Sequence, residues 1–329
     1  MRFALSVEQR DFAASLRDLL DGAKTPQVIR AWGGGDSGPG RTLLRQLADA
    51  GVTGLAVNEE LGGLGATAVD LAVAFIEVGR SGAPGPLIET AAVIPTLLQQ
   101  LPDDTLAQRW LPEIAEGRAV ASVALPPHVP RALDADVADV VFRVEGEQLE
   151  EVEPDRLERS VDAARRVFTV TGARTVADGV DSAPAFDMGV LACAAQLLGA
   201  GHAMLDMTTD YAKNRVQFGR PIGQFQAVKH HLADALVGIE MATPLLYGAA
   251  IALGNNDPHA SRDVSSAKIA CSDAAYLAAR KALQVHGAIG YTAEYDLSLW
   301  LTKVRALQAA WGTASVHRAR VAESLRSVS

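Results

Sequence analysis

The chain has 329 residues, of which 49% are hydrophobic and only 5% aromatic, and a net charge of −9. That length supports a core of two or three layers built from Ala, Leu and Val, and the acidic balance without a basic run excludes an electrostatic surface for nucleic acid. Cys193 and Cys271 lie in apolar helical patterns without CxxC spacing, so they read as buried small hydrophobes in a reducing compartment, not as a disulfide or metal site.

In chain order, the first third reads as helical. Ser6 is a good N-cap with Gln9 three residues on, and Phe12, Leu16, Leu19 and Leu20 give the stripe of a first helix. The run Ala31–Gly40 reads as a flexible glycine-rich loop. Helices are expected over about 41–50, 67–80, 86–100 and 103–115, with a glycine-rich turn at Asn58–Gly65 between the first two. Across 119–180 the pattern changes: Ala119–Leu125, Asp139–Val144 and Arg166–Val170 read as short strands, and Glu145–Glu153 as a solvated hairpin face. From about 185 onward helical periodicity returns in four segments, 186–214, 225–254, 258–286 and 294–324, with lengths that suit an antiparallel four-helix bundle. Small residues at Ala192–Ala195 and Gly199–Ala203 would allow close helix approach. Met1–Ser6 carries no long apolar segment of signal-peptide type, and no uninterrupted apolar run reaches membrane-spanning length, so a cytoplasmic chain with no membrane partner is expected.

Two blocks carry the functional signal. Tyr211–Gln226 (YAKNRVQFGRPIGQFQ) and Gln284–Tyr295 (QVHGAIGYTAEY) resemble, in the right order, the two signatures of the acyl-CoA dehydrogenases. Asn58–Gly65 is similar to a glycine-rich turn common in that family. The resemblance implies a mostly α fold with a small β-domain: an N-terminal helical domain over 1–118, a shortened β-domain over 119–182 and a C-terminal four-helix bundle over 183–329. It also implies FAD as cofactor, an acyl-CoA thioester as substrate and electron-transferring flavoprotein as electron acceptor. In the family the bundle of one subunit holds the diphosphate and adenosine of the FAD seated on its partner. Carried over, Arg215 would fork onto the diphosphate, Phe218 would pack near the adenosine, and Gln284 would hydrogen-bond the diphosphate. Gly287 and Ala288 would bring backbone N–H groups close to it, and Thr313 would lie near the diphosphate or adenine of the other FAD, if one were there. Taken alone, Arg215 reads as a cation at a helix C-terminus and His286 as a satisfied helix-end histidine. Lys229 and Asp234 read as surface residues, and adjacent His230 and His231 as no metal pair.

The family's reaction needs a carboxylate base for the α-proton while hydride leaves Cβ for the flavin. The usual late-bundle Glu-Gly-Thr element falls on Trp311-Gly312-Thr313, and the alternative position at the start of the first bundle helix falls at or near Gly189. Asp187 is the one carboxylate nearby, about two residues out of register. The family's flavin-contacting β-domain motif is missing around Ser122–His128. This pattern resembles the short, catalytically degenerate subunit of the α2β2 acyl-CoA dehydrogenases of steroid side-chain degradation, whose full-length partner carries the base. Two alternatives stay open: a self-sufficient homo-oligomeric dehydrogenase with a displaced base, and a flavin-free, non-enzymatic relative. Under each, Trp311 is expected to fill the site where the base would stand.

Overall fold

In a computed structural model that describes residues 4–326, the first helix begins where its cap directs. The Ser6 hydroxyl accepts from the Gln9 amide and the Gln9 side chain accepts from the Ser6 amide, which opens α1 (Val7–Gly22). Residues Met1–Phe3, on which the reading of the N-terminal segment partly rests, lie outside the described residues. Next come α2 (Thr25–Gly33), α3 (Gly38–Asp49), α4 (Ala68–Ser81), a π turn at Glu89–Val93 running into α5 (Ile94–Leu98), and α6 (Thr105–Ala115). The expected loop at Ala31–Gly40 is mostly helix. Trp32 is fully buried on α2 and its indole donates to Asp134, so only the turn between Gly34 and Ser37 remains as connection. A pair of short helices flanking a tight glycine turn mimics a loop in composition, and the buried tryptophan decides the matter.

The middle of the chain holds one five-stranded sheet in the order β1-β3-β4-β5-β2: β1 (Ala121–Ala124), β2 (Ala132–Leu133), β3 (Val140–Glu145), β4 (Gln148–Glu158) and β5 (Val167–Ala177). The β1–β3 pair is parallel and the other pairs are antiparallel. Three strands were expected. β4 and β5 run 11 residues each, well past the expected segments. Both carry charged residues on a wet face and bulges between them, so the two-residue periodicity is weak. Glu145–Glu153 does form a hairpin, turning at Gly146, but Leu149 and Val152 point inward.

The bundle consists of α7 (Ala183–Asn214), α8 (Gln226–Gly254), α9 (Ala260–His286), and α10 (Leu297–Ala309) followed by α11 (Ala314–Arg326). The fourth expected helix is therefore two. Trp311 at φ 56° and Gly312 at φ 91° are successive left-handed residues, which no α-helix accommodates. The break is held: the buried His317 ring bonds the Trp311 carbonyl at 2.9 Å and Ser265 at 3.2 Å. The small residues of α7 do allow close approach, with Gly199 seated on the backbone of α4. Both cysteines are free and buried, as expected.

Contrary to the expectation from sequence, α7 and α8 are each long and apolar enough to cross a bilayer by length and composition. α7 is the central core helix, with 83% of its most apolar stretch buried, whereas α8 has only 39% buried. Val237, Met241 and Leu245, spaced four residues apart with Leu236 beside them, form an exposed apolar stripe along α8.

Candidate functional site

The two sequence blocks meet at one end of the bundle. α7 ends at Asn214 and Arg215 leaves it with extended backbone. The chain then makes a two-residue hairpin, β6 (Val216–Gln217) and β7 (Arg220–Pro221), whose turn residues Phe218 and Gly219 both have positive φ, as a tight hairpin turn demands. The second block arrives on the last turn of α9. There Tyr211 stacks on His286 at 4.2 Å between ring centroids, and His286 bonds the Tyr295 hydroxyl at 3.2 Å and the Ala282 carbonyl at 2.8 Å. His286 is thus a satisfied helix-end histidine, held neutral by burial.

Around this aromatic clasp the candidate residues face outward. The Arg215 side chain is exposed and has no hydrogen-bond or ion-pair partner among the described residues. Phe218 is 93% exposed, an unusual position for a phenylalanine in a chain without its partners. Gln284, Gly287 and Ala288 are exposed beside them. Gly287 has φ 66° and ψ −144°, a conformation that only glycine adopts readily, and an added Cβ would meet open space. Thr313 is not part of this cluster. It lies past the far end of α10, roughly 20 Å away by helix rise, bonded to Ser315. Lys281 pairs with Asp234 at 2.8 Å and contacts His231, Lys229 is exposed, and no group of metal-ligating side chains occurs among the described residues.

The second region is a cavity of about 720 Å3 between the β-domain and the α10–α11 break. Trp311 forms one wall. Its ring is buried against Phe186, and a Cβ on Gly189 would stand 2.5 Å from it. The two positions where a carboxylate base was sought therefore face each other: the indole takes the space, and the glycine leaves it. Trp311 is buried as expected, yet the cavity beside it stays open. Asp187 does not reach that cavity. It is buried, ion-paired to Arg320 at 2.6 Å, and accepts from the Ser261 hydroxyl. Ser122 is equally committed, its buried hydroxyl donating to the Leu133 carbonyl at 2.6 Å.

Sequence reasoning missed Glu89. It is 1% exposed, lines the cavity from the π turn before α5, and its Oε2 has no hydrogen-bond partner. Burial raises its pKa to about 7, against the opposing pull of Arg165. The available signal was a single acid inside the apolar run Ala83–Leu98. The raised pKa makes a stability prediction. As pH climbs from about 4.5 to 7 the unfolded chain releases this proton while the folded chain holds it, so stability is lost over that window. Glu89→Gln should gain roughly 3 kcal/mol over the parent at pH 8 and little at pH 4.5. Thermal melts at both values check this, and an equal shift at both would refute it.

The geometry can be set beside known proteins. Residues 6–118 match the family model "Acyl-CoA dehydrogenase, N-terminal domain" and residues 180–326 match "Acyl-CoA dehydrogenase, C-terminal domain". Acyl-CoA dehydrogenase IpdE2 of Mycobacterium tuberculosis is 33% identical over 84% of this chain and 85% of its own. Among solved structures, a variant of the Tcur3481–Tcur3483 steroid ACAD superposes with a TM-score of 0.83 at 25% identity, over 97% of this chain and 98% of the other. The ChsE4–ChsE5 complex of Mycobacterium tuberculosis has a chain that superposes with a TM-score of 0.84 at 23% identity, over 99% of both.

Proposed function

This chain is a member of the acyl-CoA dehydrogenase family, a family that binds FAD, and from that premise we propose that it serves as the non-catalytic subunit of a hetero-oligomeric dehydrogenase that desaturates a steroid-type acyl-CoA between Cα and Cβ. The observation that carries this reading is the Trp311–Gly189 pair: both base positions lack a carboxylate, and an indole cannot accept the α-proton. Asp187, neutralised by Arg320 away from the cavity, does not replace it.

FAD, when bound, supplies the hydride acceptor. The residues of this chain fit its diphosphate end: an unpartnered guanidinium at Arg215, a free carboxamide at Gln284, and a Gly287–Ala288 backbone that leaves room for close approach. In this reading Arg215 gives a forked, charge-assisted pair of hydrogen bonds, Gln284 and the two backbone N–H groups add neutral donors, and Phe218 covers the adenosine. In this reading a full-length partner would seat the flavin ring and carry the Glu base, and electron-transferring flavoprotein would serve as the electron acceptor. The apolar stripe on α8 supports an assembly, since a large exposed patch marks a contact face. A steroid-type substrate is supported by the likeness to a structure named as a steroid ACAD, and unlike subunits by the likeness to a complex of two differently named chains.

One observation favours the self-sufficient reading: Glu89 is a carboxyl in the cavity with a pKa near neutrality. Co-expression with a full-length dehydrogenase of the same family decides between the two. One FAD per pair of unlike chains, with a colourless protein when this chain is made alone, is the expected result. One FAD on each copy of this chain, with acyl-CoA oxidation and no partner, would overturn the proposal.

A further inference from the structure

The residues that fit the FAD diphosphate all sit at the C-terminal ends of two long helices: Arg215 just past α7, and Gln284 to Ala288 on and beyond the last turn of α9. Such ends are a poor place for an anion, because the last carbonyls of a helix point outward and carry the negative pole of its dipole. Attraction must come instead from the Arg215 guanidinium, the Gln284 carboxamide and the N–H groups beyond His286. It therefore depends on where the chain sets these groups. Arg215, Gln284 and Gly287 are all exposed and take little placement from packing of their own.

The placement comes from three rings behind them. Tyr211 lies one turn before Arg215 and its carbonyl accepts from the Arg215 amide at 2.8 Å, while the Arg215 carbonyl accepts from the Ile222 amide at 2.8 Å. His286 immediately precedes Gly287. The Tyr211 and His286 rings stack with 23° between their planes, and Tyr295 closes the group, its centroid 6.2 Å from Tyr211 edge-on and 5.2 Å from His286. The Ala282 carbonyl can only accept, so His286 carries its proton on Nδ1, and its Nε2 accepts from the Tyr295 hydroxyl. Both nitrogens being engaged, the plane on which Tyr211 lies is fixed. The following turn is close as well: a Cβ on Gly290 would stand 3.2 Å from the His286 Cβ. The Tyr211 hydroxyl has no hydrogen-bond partner among the described residues, so Tyr211 contributes the face of its ring.

We infer that Tyr211, His286 and Tyr295 are positioning residues of the diphosphate clamp, holding the ends of α7 and α9 at one separation so that Arg215 and the Gly287–Ala288 amides meet the same diphosphate; this assignment rests on the reading of Arg215, Gln284, Gly287 and Ala288 as that clamp. The rings act through those groups, and contacts set in advance spare the ordering that binding would otherwise have to impose.

The FAD dissociation constant of the assembled enzyme, read by flavin fluorescence on dilution, tests this, with melting of the FAD-free chain alongside. Tyr211→Leu should weaken FAD binding about tenfold and Tyr295→Leu about fivefold. Tyr211→Phe keeps the ring and should stay within about twofold of the parent. The coupling separates positioning from mere stability: in the Tyr211→Leu background the loss caused by Arg215→Ala should shrink about fivefold or more. A general loss of stability would lower the melting temperature and leave the Arg215 increment whole. If Tyr211→Leu fails to fold, the same cycle is run with Tyr295→Leu, where the increment should again shrink. FAD held by either leucine variant as tightly as by the parent, or an undiminished Arg215 increment in its background, would overturn the inference while the clamp stands. Arg215→Ala without effect on FAD would remove the clamp itself, and this inference with it.

Discussion

Gly199→Ala is expected to remove the folded protein from the soluble fraction, at a cost above about 4 kcal/mol. α4 and α7 cross in direct backbone contact. A Cβ on Gly199 would stand 2.8 Å from the amide nitrogen of Arg80 and closer still to the carbonyl oxygen of Ile76. On the facing helix, a Cβ on Gly79 would stand 2.7 Å from the carbonyl carbon and Cα of Gln196. These neighbours are backbone, so no rotamer change relieves the overlap. The helices must part, and the buried side chains along the seam, Ala72, Phe75 and Val78 among them, lose their packing. Overpacking with side-chain neighbours costs typically 1–3 kcal/mol; a collision with the backbone of the facing helix exceeds that, against a total stability of about 5–15 kcal/mol. The control is Gly22→Ala at the end of α1, where an added Cβ meets nothing and a gain of roughly 0.4–1 kcal/mol is expected. Soluble yield and denaturant midpoints report both, and a Gly199→Ala protein as stable as its parent would disprove the account of this crossing.

Arg215→Ala is expected to leave the fold untouched and to weaken FAD binding by the assembled enzyme about ten- to a hundredfold. The side chain is exposed and makes no hydrogen bond or ion pair among the described residues, so its loss leaves no buried group unpaired. Removing a charge-assisted hydrogen bond costs roughly 1.5–3 kcal/mol. Arg215→Lys would keep the charge but lose the fork, so it should fall between the two. Flavin released on dilution, read by its fluorescence, gives the affinity, and unchanged melting of the FAD-free chain gives the control. Unaltered FAD retention in Arg215→Ala would count against the clamp and in favour of a flavin-free relative.

Several features were readable because they depend on residues close in the chain. The capping box at Ser6 and Gln9 and the helix end at Gly287 are local conformational statements that side-chain chemistry dictates within a few residues. So are the boundaries of α7, α8 and α9, fixed by long stretches of one period. Trp32 went unread because its burial depends on Asp134, a hundred residues away, and the glycines around it imitate a loop. The extent of β4 and β5 went unread because strands that are wet on one face and bulged carry little pattern.

The candidate site divides in the same way. The sequence alone determined the family, the order of its three parts, and the absence of a carboxylate at Trp311 and Gly189, because each rests on residue identity at a known spacing. It also singled out Arg215, Phe218 and Gln284. Only the tertiary structure decided that Tyr211 and His286 stack to bring those blocks together, and that the ring of Trp311 occupies the space Gly189 leaves. It alone shows that Arg320 pairs with Asp187 and that Glu89 lies buried against a cavity. Each of these is a contact between residues far apart in the chain, and whether a side chain is free, paired or buried is settled by what the fold sets against it, not by its neighbours in sequence.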